Sequence, residues 1–255
     1  MRNYLKCLAV LFVTVSLFNC KEDTSAREFE TTAADSVDVE QQPIKSILTA
    51  QEQSSMTPDE IIGRLKKGNE NFVSNNLTQR DHSEQRRVAT IGQYPKAIVL
   101  SCVDSRVPVE DVFDLGIGDI FVARVAGNIE NIEIVGSMEF ATAVAGSKLV
   151  IVMGHTACGA VKHAIDNTDA ASMNMNALAD LLNEIKPSVE ATEKNGDVSS
   201  KNTVFTNSVI HTNARMTVED IRKQSPKMAE LETNGQIKIV SAVYDMETGK
   251  VEFLK

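Results

Sequence analysis

Four short apolar runs set the frame for this chain: residues 97–100 (AIVL), 120–123 (IFVA), 149–153 (LVIVM) and 237–244 (IKIVSAVY). They are rich in β-branched side chains, and longer stretches of helical periodicity lie around them at 133–144, 176–189 and 217–231. Strands that are apolar on both faces need cover on both faces, and strands separated by helices run parallel. The chain therefore reads as α/β, a mainly parallel β-sheet flanked by helices. Residues 245–250 (DMETGK) read as a turn into a last strand at 251–254. The start is marked by Thr57-Pro58-Asp59-Glu60, with a capping residue, a proline at the first helical position and a glutamate three after the cap. The spacing of Ile61, Ile62, Leu65 and Phe72 then predicts a helix. A length of 255 residues suits one domain with appendages, able to bury a core without disulfide staples.

The appendage lies ahead of residue 57. Arg2 and Lys6 precede twelve uncharged residues, 7–18 (CLAVLFVTVSLF). A basic start and an apolar stretch of that length describe a secretory signal over 1–19 and are too short to cross a bilayer. Cys20 at its end, followed by Lys21, resembles a bacterial lipidation site, although Asn19 replaces the usual small residue. The chain is thus expected to be exported to a bacterial cell envelope, periplasmic or lipid-anchored through Cys20. Residues 20–56 are rich in Ser, Thr, Asp, Glu and Gln and read as a flexible acidic tether, with a short helix near 44–48. The folded domain is expected over 57–255. A formal net charge of −9, with 35 acidic and 26 basic residues, argues against nucleic-acid binding and leaves the anchor as the only membrane contact.

Two segments at strand ends carry chemistry. Ser101-Cys102-Val103-Asp104-Ser105-Arg106 follows the first apolar run, and Gly154-His155-Thr156-Ala157-Cys158-Gly159 follows the third. In open α/β sheets ligands gather at the carboxyl ends of strands. Cys102 and Asp104 project to one side in extended backbone, and His155 and Cys158 share a face if they lie on a helical turn. Alone, Cys102 reads as a core cysteine, HxxC as a common spacing and Asp104–Arg106 as a surface ion pair. Together, two thiolates and an imidazole make three strong zinc ligands with one position left over, the composition of a catalytic rather than a structural site.

CxDSR followed by HxxCG some fifty residues on resembles the β-class carbonic anhydrase family. The resemblance extends over 57–255 and is supported by Gly118-Asp119-Ile120-Phe121-Val122, Arg124, Gly127-Asn128 and Ala242-Val243-Tyr244-Asp245. It implies an enzyme that reversibly hydrates carbon dioxide to bicarbonate and a proton by attack of zinc-bound hydroxide. One zinc ion per subunit would be held by Cys102, His155 and Cys158, with Asp104 a fourth ligand only in a closed state. It further implies an Asp104–Arg106 dyad, a bicarbonate contact from Gln93, a substrate pocket at Phe121, Phe140 and Gly159, and a helical arm at 57–72 projecting onto a partner in a homodimer or tetramer of dimers. Two departures stand out: Val125 replaces an asparagine after Arg124, and Val99 replaces a tryptophan that one subgroup uses for a noncatalytic bicarbonate pocket. His82, His163 and His211 are proton-shuttle candidates by residue type alone. The rival readings are a zinc hydrolase of carbonyl sulfide or carbon disulfide, a non-enzymatic zinc or redox sensor built on Cys102 and Cys158, and an envelope binding protein with a vestigial site.

Overall fold

The computed structural model of the protein describes residues 42–255. The expected signal at 1–19, Cys20 and the tether up to residue 41 lie outside the described residues. Five strands form one sheet: β1 Ala97–Ser101, β2 Ile120–Arg124, β3 Leu149–His155, β4 Lys238–Tyr244 and β5 Val251–Phe253. Among the described residues the α-helices are α1 Ala50–Ser55, α2 Pro58–Val73, α3 His82–Val88, α4 Val109–Val112, α5 Ile132–Glu139, α6 Gly159–Ile165, α7 Asn176–Ala191, α8 Thr203–Gln224 and α9 Pro226–Thr233. The strand order is β2-β1-β3-β4-β5; the first four run parallel and β5 is antiparallel to β4. None of the described helices is long and apolar enough to cross a membrane.

The continuous apolar runs follow from burial on both faces. Ala97, Val99, Leu149, Ile151 and Met153 pack with Ile61 and Leu65 of α2 and with Val109, Val112 and Phe113. The alternate residues Ile98, Leu100, Val150 and Val152 pack on the other face with Val135 and Met138 of α5 and Ala214, Val218 and Ile221 of α8. Each fully buried aliphatic side chain contributes about 1.5–3 kcal/mol, so both helical layers are fixed by the same strands. Val99, which stands where one subgroup has a tryptophan, is fully buried in the first layer.

Three expectations need correction. The arm at 57–72 does not project from this subunit: Ile61 and Leu65 are fully buried on its own sheet. At Gly68 a Cβ would stand 1.9 Å from the Phe113 carbonyl oxygen, so α2 runs in backbone contact with the segment after α4. The tether also ends before residue 56. Thr49 and Glu52 form a capping box that starts α1 at residue 50, not at 44–48. Gln53 Nε2 donates to the carbonyls of Pro95 (2.7 Å) and Ala145 (2.8 Å), and Lys148 Nζ to those of Ser54 and Met56 (both 2.7 Å). Composition misses this because the ordering comes from long-range hydrogen bonds and from only two apolar side chains, Met56, buried in the core, and Leu48, packed against it.

The third correction concerns the helix expected at 217–231, which is two helices. Ser225 accepts a bond from the Met228 N–H and caps α9, and Pro226 cannot extend the helix before it because it has no N–H to donate. The upstream helix α8 reaches back to Thr203, capped by Asn202 accepting from the Val204 and Phe205 N–H groups. Its first half is rich in β-branched and polar residues, weak helix formers held here by burial of Phe205, Val209 and Ile210. The helix expected at 133–144 is α5 followed by a π-helical turn, Phe140–Val144.

The sheet order creates a crevice. From β1 the chain moves outward to β2 on one side, whereas from β3 it moves to β4 on the other. The switch point therefore lies between β1 and β3, at their carboxyl ends, where ligands bind in open α/β sheets.

Candidate metal centre

Both chemical segments emerge at this switch point. Ser101, the last residue of β1, pairs with Met153 of β3, so the chain leaving β1 at Cys102 runs beside the end of β3 at His155. His155 and Cys158 do not share a helical turn, contrary to the spacing argument. His155 ends β3, Ala157 takes a left-handed conformation (φ +59°), and Cys158 is the capping residue of α6. The turn is pinned by the Thr156 N–H to the Tyr244 carbonyl (3.0 Å) and by the Met246 N–H to Thr156 Oγ1 (3.0 Å). It reverses the chain so that Cys158 returns toward His155.

The ligand atoms of Cys102, His155 and Cys158 all lie within 4.8 Å of one another, and all three residues are buried. His155 Nδ1 is 2.9 Å from the Thr156 carbonyl oxygen, a contact that requires the proton on Nδ1. Nε2, buried and without a partner, is left as a free lone pair beside the two sulfurs. Zinc bonds of about 2.0–2.3 Å place tetrahedral donor atoms about 3.3–3.8 Å apart, separations that fall within the 4.8 Å that bounds the three donors. The donors therefore fit a zinc ion. The thiols point the same way. A hydrogen bond shared with the neighbouring Cys158 thiol, with contacts from His155 and the Gly127 N–H, lowers the Cys102 thiol below its ordinary range. The same bond, with burial and the Cys102 charge, pushes Cys158 up. The pair readily carries one negative charge, and a second thiolate needs a cation between them.

Asp104 lies at the margin of this group, with Oδ2 3.9 Å from His155 Nε2. Arg106 grips it through Nε to Oδ1 (2.9 Å), Nη2 to Oδ2 (2.7 Å) and its backbone N–H to Oδ1 (3.0 Å). This fork holds the Asp104 carboxyl at about 2. Arg124, the last residue of β2, donates Nε to the Cys102 carbonyl (2.8 Å) and Nη2 to the Asp104 carbonyl (2.6 Å). One guanidinium thus fixes the backbone of a ligand and of the carboxylate beside it. The Gly127 N–H points at Cys102 Sγ (3.4 Å), and Asn128, buried with φ +46°, leaves its Nδ2 unpartnered. Val125 is half-buried and packs against the apolar clusters on both sides of it.

The remaining candidates are more dispersed. Gly159 opens α6 with free space where a Cβ would stand, so nothing crowds the chain after Cys158. Phe121 and Phe140 form an edge-to-face pair (6.1 Å between ring centres) beside a groove of about 610 Å³ with Ile98 and Ile134. Phe121 packs against the Leu100 and Met138 cluster rather than that of Cys102 and Cys158, so in this subunit the pair lies along β2 and not over the ligands. Gln93 is exposed, ahead of β1 and at the opposite end of that strand from Cys102. No single subunit brings it to the site, because a strand separates them at about 3.3 Å per residue. His82 is exposed on α3, His163 bonds Thr168 Oγ1 (2.9 Å), and His211 lines a groove with Arg215, its pKa lowered by burial. The clamp role of Arg124 was legible only as one motif match, and Asn213, whose amide reaches the Gly127 carbonyl (2.8 Å), gives no sequence signal.

A mainly parallel sheet with a Cys–His–Cys group at its switch point defines a metalloenzyme-like α/β class, and the comparisons narrow it. Residues 97–251 match the family model described as carbonic anhydrase. Carbonic anhydrase 2 of Mycobacterium tuberculosis is 32% identical over 187 residues, covering 73% of this chain and 87% of that one. The fold is similar to the β-carbonic anhydrase CcaA, with a TM-score of 0.59 at 22% identity, covering 77% of this chain and 94% of that one. It is also similar to one of two tetrameric β-carbonic anhydrases from Sordaria macrospora, with a TM-score of 0.51 at 18% identity, covering 77% and 92%. The chain belongs to the carbonic anhydrase family, with the fold of its β class.

Proposed function

We propose that the protein catalyses the reversible hydration of carbon dioxide to bicarbonate and a proton, with zinc held by Cys102, His155 and Cys158. The observation that carries this reading is the buried, partnerless Nε2 of His155 within reach of two thiols, beside a carboxylate fixed by an arginine fork. When bound, zinc supplies Lewis acidity that brings the ionisation of water close to neutral pH. The Thr156 carbonyl holds the His155 proton on Nδ1 and so keeps Nε2 available. Asp104, kept ionised by Arg106, accepts a hydrogen bond from the attacking oxygen and turns its lone pair toward the carbon of the substrate. The Arg106 fork also holds Asp104 off the ligand set, and its opening would let the carboxylate take the fourth position. A redox sensor needs the two cysteines but has no use for this dyad, and a vestigial site would not retain all three donors.

The reading extends to assembly and location. Ile132 (74% exposed), Phe140 (50%) and Val144 (73%) present apolar surface beside the β2 edge. We infer a homodimer or a tetramer of dimers, in which a second copy covers this surface and brings its Gln93 toward the site. The apolar stretch at 7–18 and Cys20 support export and lipid anchoring in a bacterial envelope. Metal analysis with stopped-flow hydration of carbon dioxide on protein lacking residues 1–20 tests the activity. We expect about one zinc per chain and turnover, both lost in Cys158→Ala; a metal-free, folded and inactive wild type would overturn the assignment.

A further inference from the structure

A hydrogen-bond relay runs from α7 through α8 to a sulfur of the metal centre. Ser188 Oγ donates to Asn213 Oδ1 (3.2 Å), Asn213 Nδ2 donates to the Gly127 carbonyl (2.8 Å), and the Gly127 N–H points at Cys102 Sγ (3.4 Å). Ser188 and Asn213 are each 2% exposed, and Cys102 is 4% exposed. Water is therefore not available to replace any of these partners.

Each link is directional. An amide side chain has one donor end and one acceptor end, and the Gly127 carbonyl, which can only accept, assigns them: Nδ2 faces Gly127 and Oδ1 faces the Ser188 hydroxyl. Gly127 stands where only glycine fits: its φ of +71° is left-handed, and a Cβ there would stand 2.6 Å from Ile185 Cδ1. It is buried in a tight turn, with the next N–H, that of Asn128, donated to the Val125 carbonyl (3.0 Å), so the anchor on its carbonyl bears on where its own N–H points. Asn213 does not touch the ligand set, and its amide acts on the sulfur only through Gly127.

We propose that Asn213 is a positioning residue of the metal centre, which aims the Gly127 N–H at the Cys102 sulfur and so tunes that thiolate as a ligand. Partners one step removed from a metal typically change affinity about 10–100-fold when lost. A hydrogen bond to a thiolate also lowers its sulfur lone pairs in energy, so its loss moves sulfur-to-metal charge transfer to lower energy, while a sulfur no longer held in place grips the metal less firmly. This inference rests on the metal-centre reading above.

The test uses Asn213→Asp, nearly identical in shape but without the donor, and Ser188→Ala, which removes the hydroxyl that anchors the other end of the amide. The measurements are zinc transfer to a chromogenic chelator and, after cobalt substitution, the position of the sulfur-to-cobalt charge-transfer band. Asn213→Asp should release zinc about 10–100-fold more readily and move the band to lower energy; Ser188→Ala should move both the same way by less. A folded Asn213→Asp with wild-type zinc release and an unmoved band would overturn the proposal. If that variant does not fold, Ser188→Ala decides: a shifted band supports the relay and an unmoved one overturns it. A wild type that takes up neither zinc nor cobalt would instead remove the metal-centre reading itself.

Discussion

Replacing Arg124 by alanine tests how the loop that carries Cys102 and Asp104 is held. The guanidinium makes two bonds to that loop, 2.8 Å to the Cys102 carbonyl and 2.6 Å to the Asp104 carbonyl. Hydrogen bonds from a charged donor contribute about 1.5–3 kcal/mol each. Arg124 is exposed in the subunit, which places both at the lower end, for a total of about 3 kcal/mol. If that energy fixes the reactive geometry, turnover falls about 100-fold. The share acting through Asp104 is one bond of the two, so in an Asp104→Asn background the same change should cost only about 10-fold. Stopped-flow carbon dioxide hydration on the four proteins of this cycle, each with its zinc content measured, reads both numbers. An equal loss in both backgrounds would show that Arg124 does not act through Asp104, and wild-type turnover in Arg124→Ala would refute the clamp altogether.

Three further outcomes follow from the geometry. Asp104 is held at about 2 by Arg106, so its ionised form adds stability that is present above its ordinary value of 3.8 and lost as the pH falls through about 2. In Arg106→Ala its titration, followed by carboxyl NMR, should move up toward 3.8, and an unmoved titration would remove the fork as the cause. A chain starting at residue 57 loses the Gln53 bonds to Pro95 and Ala145 and the Lys148 bonds to Ser54 and Met56. At about 1 kcal/mol per bond the four bonds make it about 4 kcal/mol less stable to urea than one starting at residue 42, and equal stability would return that segment to a tether. Gly127→Ala meets Ile185 and an unfavourable φ; about 1–3 kcal/mol of backbone strain, with the Gly127 N–H displaced from Cys102, should lower both the melting temperature and the bound zinc.

The sequence made the sheet legible because both faces of β1 and β3 are buried, so their runs carry no polar interruption. It made α8 illegible for a matching reason. The residues 203–216 are weak helix formers, and only packing of Phe205, Val209 and Ile210 against the rest of the domain holds them helical. The order of segment 42–56 is not legible in its composition, because Gln53 reaches carbonyls far along the chain and Lys148 reaches back to those of Ser54 and Met56. His155 and Cys158 were rightly paired for an incorrect reason, since a left-handed residue at Ala157, and not a helical turn, brings them together.

The donor atoms were fixed by the sequence alone: two sulfurs, an imidazole, a carboxylate and its arginine are covalent facts, and their positions after apolar runs follow from local pattern. Their meeting point belongs to the tertiary structure. Cys102 and His155 come together because β1 pairs with β3, and no local pattern states which strands will be neighbours. The free lone pair on His155, the grip of Arg124 and the reach of Asn213 likewise depend on backbone groups brought close by that pairing and by the helices packed around it. Chemistry is inherited with each side chain, but hydrogen bonds form only at about 3 Å, and distances on that scale are set by the whole fold.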